Sequence, residues 1–592
     1  MWSTIETLFA ADPAVGPIER RVVGSAAALL AVITTGLVLY EAYYATITAL
    51  VVRSEFFSAM ASAGLLTIGL RMRHPLVRAM FYILAVAALP PGPYLQQNFF
   101  DIVSMGGLST PTDRVLFVIT TIVVLVLTYM TIGWSLVVLA VASILYAYFG
   151  YLIPGEYGNA GYDLARLTST LFLSTEGIYG IPMGVAVDYI FLFALLGTFL
   201  MKVGTGELFV EIARAVTGRT QGGPGLSAVL ASSMLGTING SAVANVVTVG
   251  TFTIPLMKRV GYSAATAGAI EAAASAAGQI LPPVMGAAAF LMAEIMGVPY
   301  TTIAVAAIIP AALYVLALLI AVRLEAGRLD LARDDGGGLA QVGKVLLYRG
   351  YLLLPLIALV IMLIDAVTPM RAAVIALGMA FVLMPWTSKT RLGPLELLKV
   401  CTETVVSVMP IIAAVAAAGV VIGVLNLTGL GLMLSGLILQ VGGGNLWLVL
   451  LLTAATSFLL GMGLPTSAAY LLLAVLVAPA LVKMGVPPIC AHMFIFYYGL
   501  VSAITPPVAL AAYAAAGISG AGTTETGMEA VRLGFVKLLV PFLFVSMPGL
   551  LLIGSGPTIA ASAVLATAAV IALSTAFAGW LVRPLTWFER GG

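Results

Sequence analysis

Two stretches decide how this chain is read: Gly278-Gln279-Ile280-Leu281-Pro282-Pro283-Val284 and Ser502-Ala503-Ile504-Thr505-Pro506-Pro507-Val508. They stand 224 residues apart, and the same shift carries Pro255 onto Pro479 and Gly261 onto Gly485 with no gap. A doubled proline removes two amide donors, so earlier carbonyls lose their helical partners. Upstream of each pair lies a polar, Gly-rich tip, Gly236-Thr237-Ile238-Asn239-Gly240-Ser241 and Gly461-Met462-Gly463-Leu464-Pro465-Thr466-Ser467. Neither tip can be continuous helix, because glycine admits left-handed backbone and Pro465 lacks an amide hydrogen. Each half therefore reads as tip, apolar arm, basic-Gly turn, apolar helix, Pro-Pro break and a further apolar helix.

The rest of the chain explains where such breaks can exist. Of 592 residues, 61% are hydrophobic and 9% charged, with a mean hydropathy of +1.11. A soluble domain carries roughly a quarter charged residues. This composition excludes a cytosolic enzyme, a disordered chain and a nucleic-acid binder. Two cysteines and two histidines leave no disulfide framework and no thiolate or imidazole metal cluster. The first residues contain no short apolar run before a cleavage site, so no removable signal peptide is expected. Gly442-Gly443-Gly444-Asn445 lacks the lysine of a nucleotide-binding loop, which excludes ATP-driven pumping by this chain alone.

Apolar runs long enough to cross a hydrocarbon core of about 30 Å recur throughout. They fall near 22–46, 56–70, 79–95, 115–133, 135–153, 183–201, 263–296, 300–322, 351–367, 371–387, 403–424, 489–518, 537–554 and 557–580. Stretches 225–258 and 445–481 read as re-entrant hairpins that enter and leave on one side. With both termini cytoplasmic, 22 of the 27 basic residues fall on inside loops, Lys537 among them. Five crossings separate the hairpins, so the second copy enters from the opposite face. An inverted repeat with interrupted helices is the signature of a secondary transporter. The expected fold is thus an all-α integral membrane protein of the inverted-repeat, elevator type, with two re-entrant hairpins and two broken helices.

Irregular backbone at membrane depth survives only inside protein or along a wet cavity. Freed carbonyls beside Ser and Thr hydroxyls are hard oxygen ligands for Na⁺, and half-helix N-termini attract a carboxylate. The pattern gives two cation sites, one per repeat, flanking an anion site. Asp188, Glu271 and Glu294 are the acids that fall within spans, where ionisable groups are costly. Glu271, ahead of the first break, is a candidate proton relay or substrate gate, against the commoner reading of local pairing. Tyr497-Tyr498 reads as aromatic packing and His492 as interfacial. Residues 205–222 and 390–402 have the spacing of in-plane amphipathic helices. The segment 323–349, with Asp334-Asp335-Gly336-Gly337-Gly338, reads as a flexible cytoplasmic linker between repeats at about 114–322 and 350–555.

These motifs resemble a known family. Gly222-Gly223-Pro224-Gly225, Gly240-Ser241-Ala242-Val243-Ala244, Ile254-Pro255, Gly261-Tyr262 and Pro282-Pro283 look like the large membrane subunit of tripartite ATP-independent periplasmic (TRAP) transporters. Gly463-Leu464-Pro465-Thr466, Pro479, Gly485 and Thr505-Pro506-Pro507-Val508 fit its second hairpin. The resemblance covers about 114–555. Residues 1–113 stand where the small membrane subunit is fused in the TAXI subtype, with three clear spans rather than four, and 556–592 adds a C-terminal helix.

What the resemblance implies is a non-enzymatic permease of the bacterial inner membrane. It would import a small organic carboxylate of C4 or C5 type, delivered by a secreted periplasmic substrate-binding protein and driven by a Na⁺ gradient. The first cation site would fall on Asn239, Ser241, Gly278, Leu281 and Pro283, and the second on Gly463, Thr466, Ser502, Thr505 and Pro507. Gly240, Gln279, Pro465 and Ser467 are the candidates to face the substrate. Relatives often carry two hydroxyls at the first tip, where this chain has Ser241-Ala242; that departure leaves proton coupling open. The alternative is a stand-alone dicarboxylate or citrate symporter that needs no binding protein. An intramembrane enzyme lacks a catalytic set here, and mirrored hairpins do not favour a channel.

Overall fold

The computed structural model describes residues 12–331, 338–383, 393–578, 580 and 583. Regular structure is helical throughout them, and ten helices are long and apolar enough to cross a membrane. Local chemistry sets many of the ends. Thr110 and Asp113 form a capping box at the start of Pro111–Thr131, and Asn445 accepts the amides of Trp447 and Leu448 at the start of Leu446–Gly461. Gly240, Gly297, Gly429 and Gly520 end helices in the left-handed conformation.

The chain divides into two compact units, Met1–Phe199 with Val367–Leu437, and Leu200–Ala366 with Ile438–Gly592. In the first unit the three early spans appear as Pro17–Tyr44, Ala49–Leu70 and Pro75–Ala87, the last continued after a bend by Pro91–Gln97. Pro111–Thr131 and Trp134–Phe149 pack on the long helix Pro394–Thr428. On the same long helix Gly419 admits the turn that precedes Ile181–Val185: a Cβ there would lie 2.5 Å from the Gly177 carbonyl oxygen. The Thr128 hydroxyl donates to the Ala413 carbonyl at 3.1 Å.

The second unit holds both tips and both breaks. The first hairpin is Gly223–Asn239 and Ala242–Arg259; the first broken helix is Ala264–Gly278 and Ala287–Met296. The second hairpin is Leu446–Gly461 followed by Thr466–Leu476 and Ala478–Lys483; the second broken helix is Pro488–Ser502 and Leu510–Ser519. Adding 224 to 242–259 and to 264–278 gives 466–483 and 488–502, so the helix boundaries repeat with the sequence. Both Pro-Pro bonds are cis, and Met285 and Ala509, again 224 apart, have positive φ values of 64° and 32°. The repeats interlock: Ala287–Met296 packs on Thr466–Leu476, and Leu510–Ser519 packs on Ala242–Arg259.

Several expectations need correction. The segment 390–402 is no separate in-plane helix: from Pro394 it is the first part of Pro394–Thr428, and 390–392 lie outside the described residues. Apolar periodicity simply continues through Thr402, and nothing there breaks the hydrogen-bond ladder. The linker 323–349 is helical at both ends, since Tyr300 starts a helix that runs to Arg328 and Leu339–Arg349 forms another; its acidic-glycine centre, 332–337, lies outside the described residues. Leu430–Gly442 is a helix where none was expected. At 1.5 Å per residue its 13 residues reach about 20 Å, short of a crossing.

The amphipathic reading of 205–222 corresponds to Thr205–Thr217. Its outward acids Glu207 and Glu211 hold Arg349 at 3.2 and 2.6 Å.

Candidate functional site

Each tip lies against the break of its own repeat, and glycine makes the approach possible. Gly236 and Gly278 meet backbone to backbone: a Cβ on Gly278 would lie 2.3 Å from the Gly236 Cα. Gly240, at φ 63°, reaches the break itself, where a Cβ would stand 3.2 Å from the Met285 carbonyl oxygen. In the second copy Gly461 faces Ser502, whose Oγ would be 2.9 Å from an added Cβ. Ser502 stands 224 residues after Gly278, so a hydroxyl occupies the place that the first copy leaves as bare backbone.

Around the first break, Gly286 N–H closes the irregular segment onto the Gln279 carbonyl at 2.7 Å. The Tyr300 hydroxyl lies 2.9 Å from the Pro283 carbonyl oxygen and 2.6 Å from that of Val284. The Tyr513 hydroxyl donates to the Pro507 carbonyl in the same sense. Two candidate ligands, Pro283 and Pro507, thus have carbonyls oriented by a tyrosine that the sequence reading did not single out. Ser502 Oγ donates to Gly499 O and Thr505 Oγ1 to Val501 O, both at 2.7 Å. Each hydroxyl's proton is spent on a carbonyl of the helix that ends at Ser502, which leaves oxygen lone pairs as the outward chemistry. Ser241 caps the outbound arm by accepting the Ala244 amide at 3.4 Å. Gly463 has φ 78°, and Thr466 begins the outbound arm after Pro465. Leu281 and Pro283 are half-buried.

Two of the substrate candidates hold orphaned polar atoms. Gln279 is 4% exposed and Ser467 2% exposed, and among the described residues neither Gln279 Oε1 nor Ser467 Oγ has a hydrogen-bond partner. Buried polar groups are nearly always satisfied, so these two atoms, one beside the first break and one beside the second tip, mark places where a polar occupant fits.

Glu271 is fully buried. Its Oε1 accepts from Ser232 Oγ at 2.7 Å and Ser275 Oγ at 3.2 Å, and its Oε2 accepts from Thr253 Oγ1 at 2.5 Å. Among the described residues no lysine or arginine pairs with it. Asn245 Nδ2 donates to the Ser232 carbonyl at 2.8 Å and lies 2.9 and 3.1 Å from the Ser232 and Ser275 hydroxyls. Asn245 Oδ1 accepts from Asn239 Nδ2 at 3.1 Å. A continuous polar chain therefore runs from the buried carboxyl to the first tip. Ser275 was findable, one turn after Glu271 on the same helix; Ser232, Asn245 and Thr253 carried no comparable signal.

Other expectations resolve differently. His492 is buried rather than interfacial, with Nδ1 2.8 Å from the Tyr470 hydroxyl. Glu294 is exposed, while Asp188 sits half-buried in a π-helical turn, Ala186–Ile190. Lys537 is no loop residue: it is 4% exposed, inside Val536–Ser546.

The model of the family "Tripartite ATP-independent periplasmic transporter, DctM component" matches residues 119–559. A putative TRAP transporter large permease protein of Haemophilus influenzae is 26% identical over 53% of this chain and 74% of its own length. The C4-dicarboxylate TRAP transporter large permease protein DctM of Pseudomonas aeruginosa is also 26% identical, over 60% of this chain and 82% of its own. Among solved structures, the YdaH transporter of Alcanivorax borkumensis aligns with a TM-score of 0.50 at 16% identity, covering 71% of this chain and 98% of that one. That likeness speaks to the fold alone. The similar permeases are transporters, not enzymes.

Proposed function

This chain belongs to the family of the DctM component of tripartite ATP-independent periplasmic transporters, and from that premise we propose that it imports a small organic carboxylate of C4 or C5 type across the bacterial inner membrane. The substrate is handed over by a secreted periplasmic binding protein, and a cation gradient drives the uptake. The observation that carries this reading is the mirrored pair of tip and break, each with a buried polar atom lacking a partner among the described residues, Gln279 Oε1 and Ser467 Oγ.

Na⁺ is the coupling ion of this reading. Asn239, Ser241, Gly278, Leu281 and Pro283 supply the oxygens of one site, and Gly463, Thr466, Ser502, Thr505 and Pro507 those of the other. Asn239, Ser241, Ser502 and Thr505 offer side-chain oxygens beside backbone carbonyls that the Pro-Pro breaks leave without helical donors, the oxygen chemistry a hard cation takes. Gly240, Gln279, Pro465 and Ser467 face the carboxylate, with the N-termini of both outbound arms directed at it. Glu271, tied to Asn239 through Asn245, is the place where a proton would act in addition to or instead of the first Na⁺. Both hairpins are re-entrant, both termini cytoplasmic, and the unit that carries the hairpins moves in the elevator manner. Residues 1–113 serve as the fused small subunit of a TAXI-type permease.

Reconstitution tests this directly. Purified protein in liposomes, with the candidate binding protein and labelled 2-oxoglutarate or succinate, is compared under an inward Na⁺ gradient, an inward proton gradient and neither. Uptake is expected only with both the binding protein and Na⁺, and Thr505→Ala should weaken it. Uptake without the binding protein would overturn the tripartite reading in favour of a stand-alone symporter. Proton-driven uptake would overturn Na⁺ coupling.

A further inference from the structure

A second feature lies in the same unit. A cavity of about 10 Å³ opens where the last turns before both breaks come together. Ala276 and Ile280 line it from the first repeat, Tyr497 and Leu500 from the second, and Tyr314 and Lys537 complete the wall. Lys537 is 4% exposed, its Nζ has no hydrogen-bond acceptor among the described residues, and it stands 5.5 Å from the centroid of the Tyr314 ring. The Tyr497 hydroxyl is equally buried and equally without a partner.

Among the described residues no carboxylate pairs with this amine; Glu271, on the helix that brings Ala276 to the wall, is held by Ser232, Ser275 and Thr253. The helices packed on Val536–Ser546 are Tyr300–Arg328, Pro488–Ser502 and Gly556–Ala578, with the turn Pro548–Leu551. In the first, the Tyr314 hydroxyl is spent on the Ala273 carbonyl at 2.6 Å, Tyr300 holds the first break, and Glu325 is held by Arg328 at 2.6 Å and Arg532 at 3.1 Å, leaving Arg323 as a further cation, not an acceptor. In the second, Tyr498 donates to the Leu538 carbonyl, His492 is paired with Tyr470, and the Cys490 thiol points at the Phe544 carbonyl. The last two carry no titratable side chain.

An ammonium brings three N–H donors and accepts nothing, and an aromatic face answers only part of that demand. A neutral amine carries no charge to be answered, asks for one acceptor fewer, and has a lone pair that takes one donor. The cavity that Lys537 and Tyr497 both line has about the room of a single water, through which the Tyr497 O–H would serve that lone pair. An ionisable side chain at membrane depth is a functional suspect, and the tyrosine beside it whose hydroxyl hydrogen is unspent is Tyr497.

We propose that Lys537 Nζ is a proton-binding site of the transport cycle. One N–H bond breaks with its electron pair left on nitrogen, and the proton passes to a water between Nζ and Tyr497 and on to the bulk; reprotonation is the reverse. Because the amine stands in a wall shared by both breaks, its positive charge opposes a cation in either of them. Proton binding here and Na⁺ binding at the breaks therefore exclude one another. Only this exclusion rests on the Na⁺ reading given above; the proton site does not.

The experiment counts protons taken up by the full-length, detergent-purified protein as the solution is brought from about pH 9 to about pH 6, a window in which an ordinary lysine keeps its proton. Wild type, Lys537→Met and Tyr497→Phe are titrated in choline chloride and again in NaCl. Wild type is expected to take up one proton per chain more than Lys537→Met, and Tyr497→Phe to keep the count while moving the midpoint. Equal uptake by wild type and Lys537→Met overturns the proposal. Should Lys537→Met not fold, a Tyr497→Phe curve superimposed on wild type overturns it instead. Exchanging choline for Na⁺ should shift the wild-type midpoint to lower pH. A one-proton difference that ignores Na⁺ upholds the proton site, overturns the exclusion and counts separately against Na⁺ at the breaks.

Discussion

Substituting Gly278 by alanine asks how closely the first tip must approach its break. The new Cβ would stand 2.3 Å from the Gly236 Cα, 2.5 Å from its carbonyl carbon and 3.0 Å from Thr237 N. Carbon atoms are at ease at about 3.5–4.0 Å, so the two helices must part by roughly 1.2 Å or more. All three neighbours are backbone atoms of a hydrogen-bonded helix, and no rotamer change relieves the contact. Overpacking of this kind costs about 1–3 kcal/mol.

Gly499→Ala is the matched control, also in the helix before a break. Its Cβ would have nothing nearer than 3.9 Å, from Ala469 Cβ and Thr466 O. Replacing a helical glycine there gains about 0.5–1 kcal/mol. The two variants should differ by about 1.5–4 kcal/mol, the sum of the two effects. Thermal unfolding of the full-length protein in one detergent, followed by intrinsic fluorescence, reads the difference. Gly278→Ala should melt clearly below wild type and lose uptake, while Gly499→Ala should melt at or above it. Equal melting temperatures for the two variants would refute the backbone contact as the element that seats the tip.

Three further outcomes follow from the polar geometry. Asn245→Ala strips the donor from the Ser232 carbonyl and releases Asn239; leaving buried groups unsatisfied should cost about 1–3 kcal/mol in thermal unfolding, and uptake should fall more than stability explains. Glu325→Gln leaves Arg532 and Arg328 without their shared, 2%-exposed carboxylate. It should destabilise by about 1–3 kcal/mol in thermal unfolding, below the value for a fully buried pair because both arginines are partly exposed; Glu207→Gln, at a 59%-exposed acid, should cost at most about 1 kcal/mol in the same measurement. Tyr300→Phe and Tyr513→Phe each remove the hydroxyl that orients a break carbonyl, so each should raise the Na⁺ concentration for half-maximal uptake at unchanged expression; no shift in either would show that Pro283 and Pro507 are held without them.

The sequence by itself determined the helix breaks and their repetition. A proline pair cannot donate amides whatever surrounds it, and a left-handed turn selects glycine locally, so the 224-residue register of Pro282-Pro283 with Pro506-Pro507 and of Gly261 with Gly485 survives into the folded helix boundaries. Hydropathy likewise located nearly every long apolar helix, because length and apolarity are properties of a segment alone. It failed where continuity is a matter of packing: the long helix Pro394–Thr428 runs through a stretch that looked interfacial, and Leu430–Gly442 had no periodicity to set it apart.

Tertiary structure alone decided the partners. Glu271 meets hydroxyls from Ser232 and Thr253, on two other helices 39 and 18 residues away, and only the packing of those helices aims them at one carboxyl. Tyr300 and Tyr513 reach the break carbonyls, and Lys537, which looked like a loop cation, turns into a cavity beside Tyr497. A side chain's direction depends on how its helix is rotated in the bundle, and no local pattern in an almost uniformly apolar sequence records that rotation.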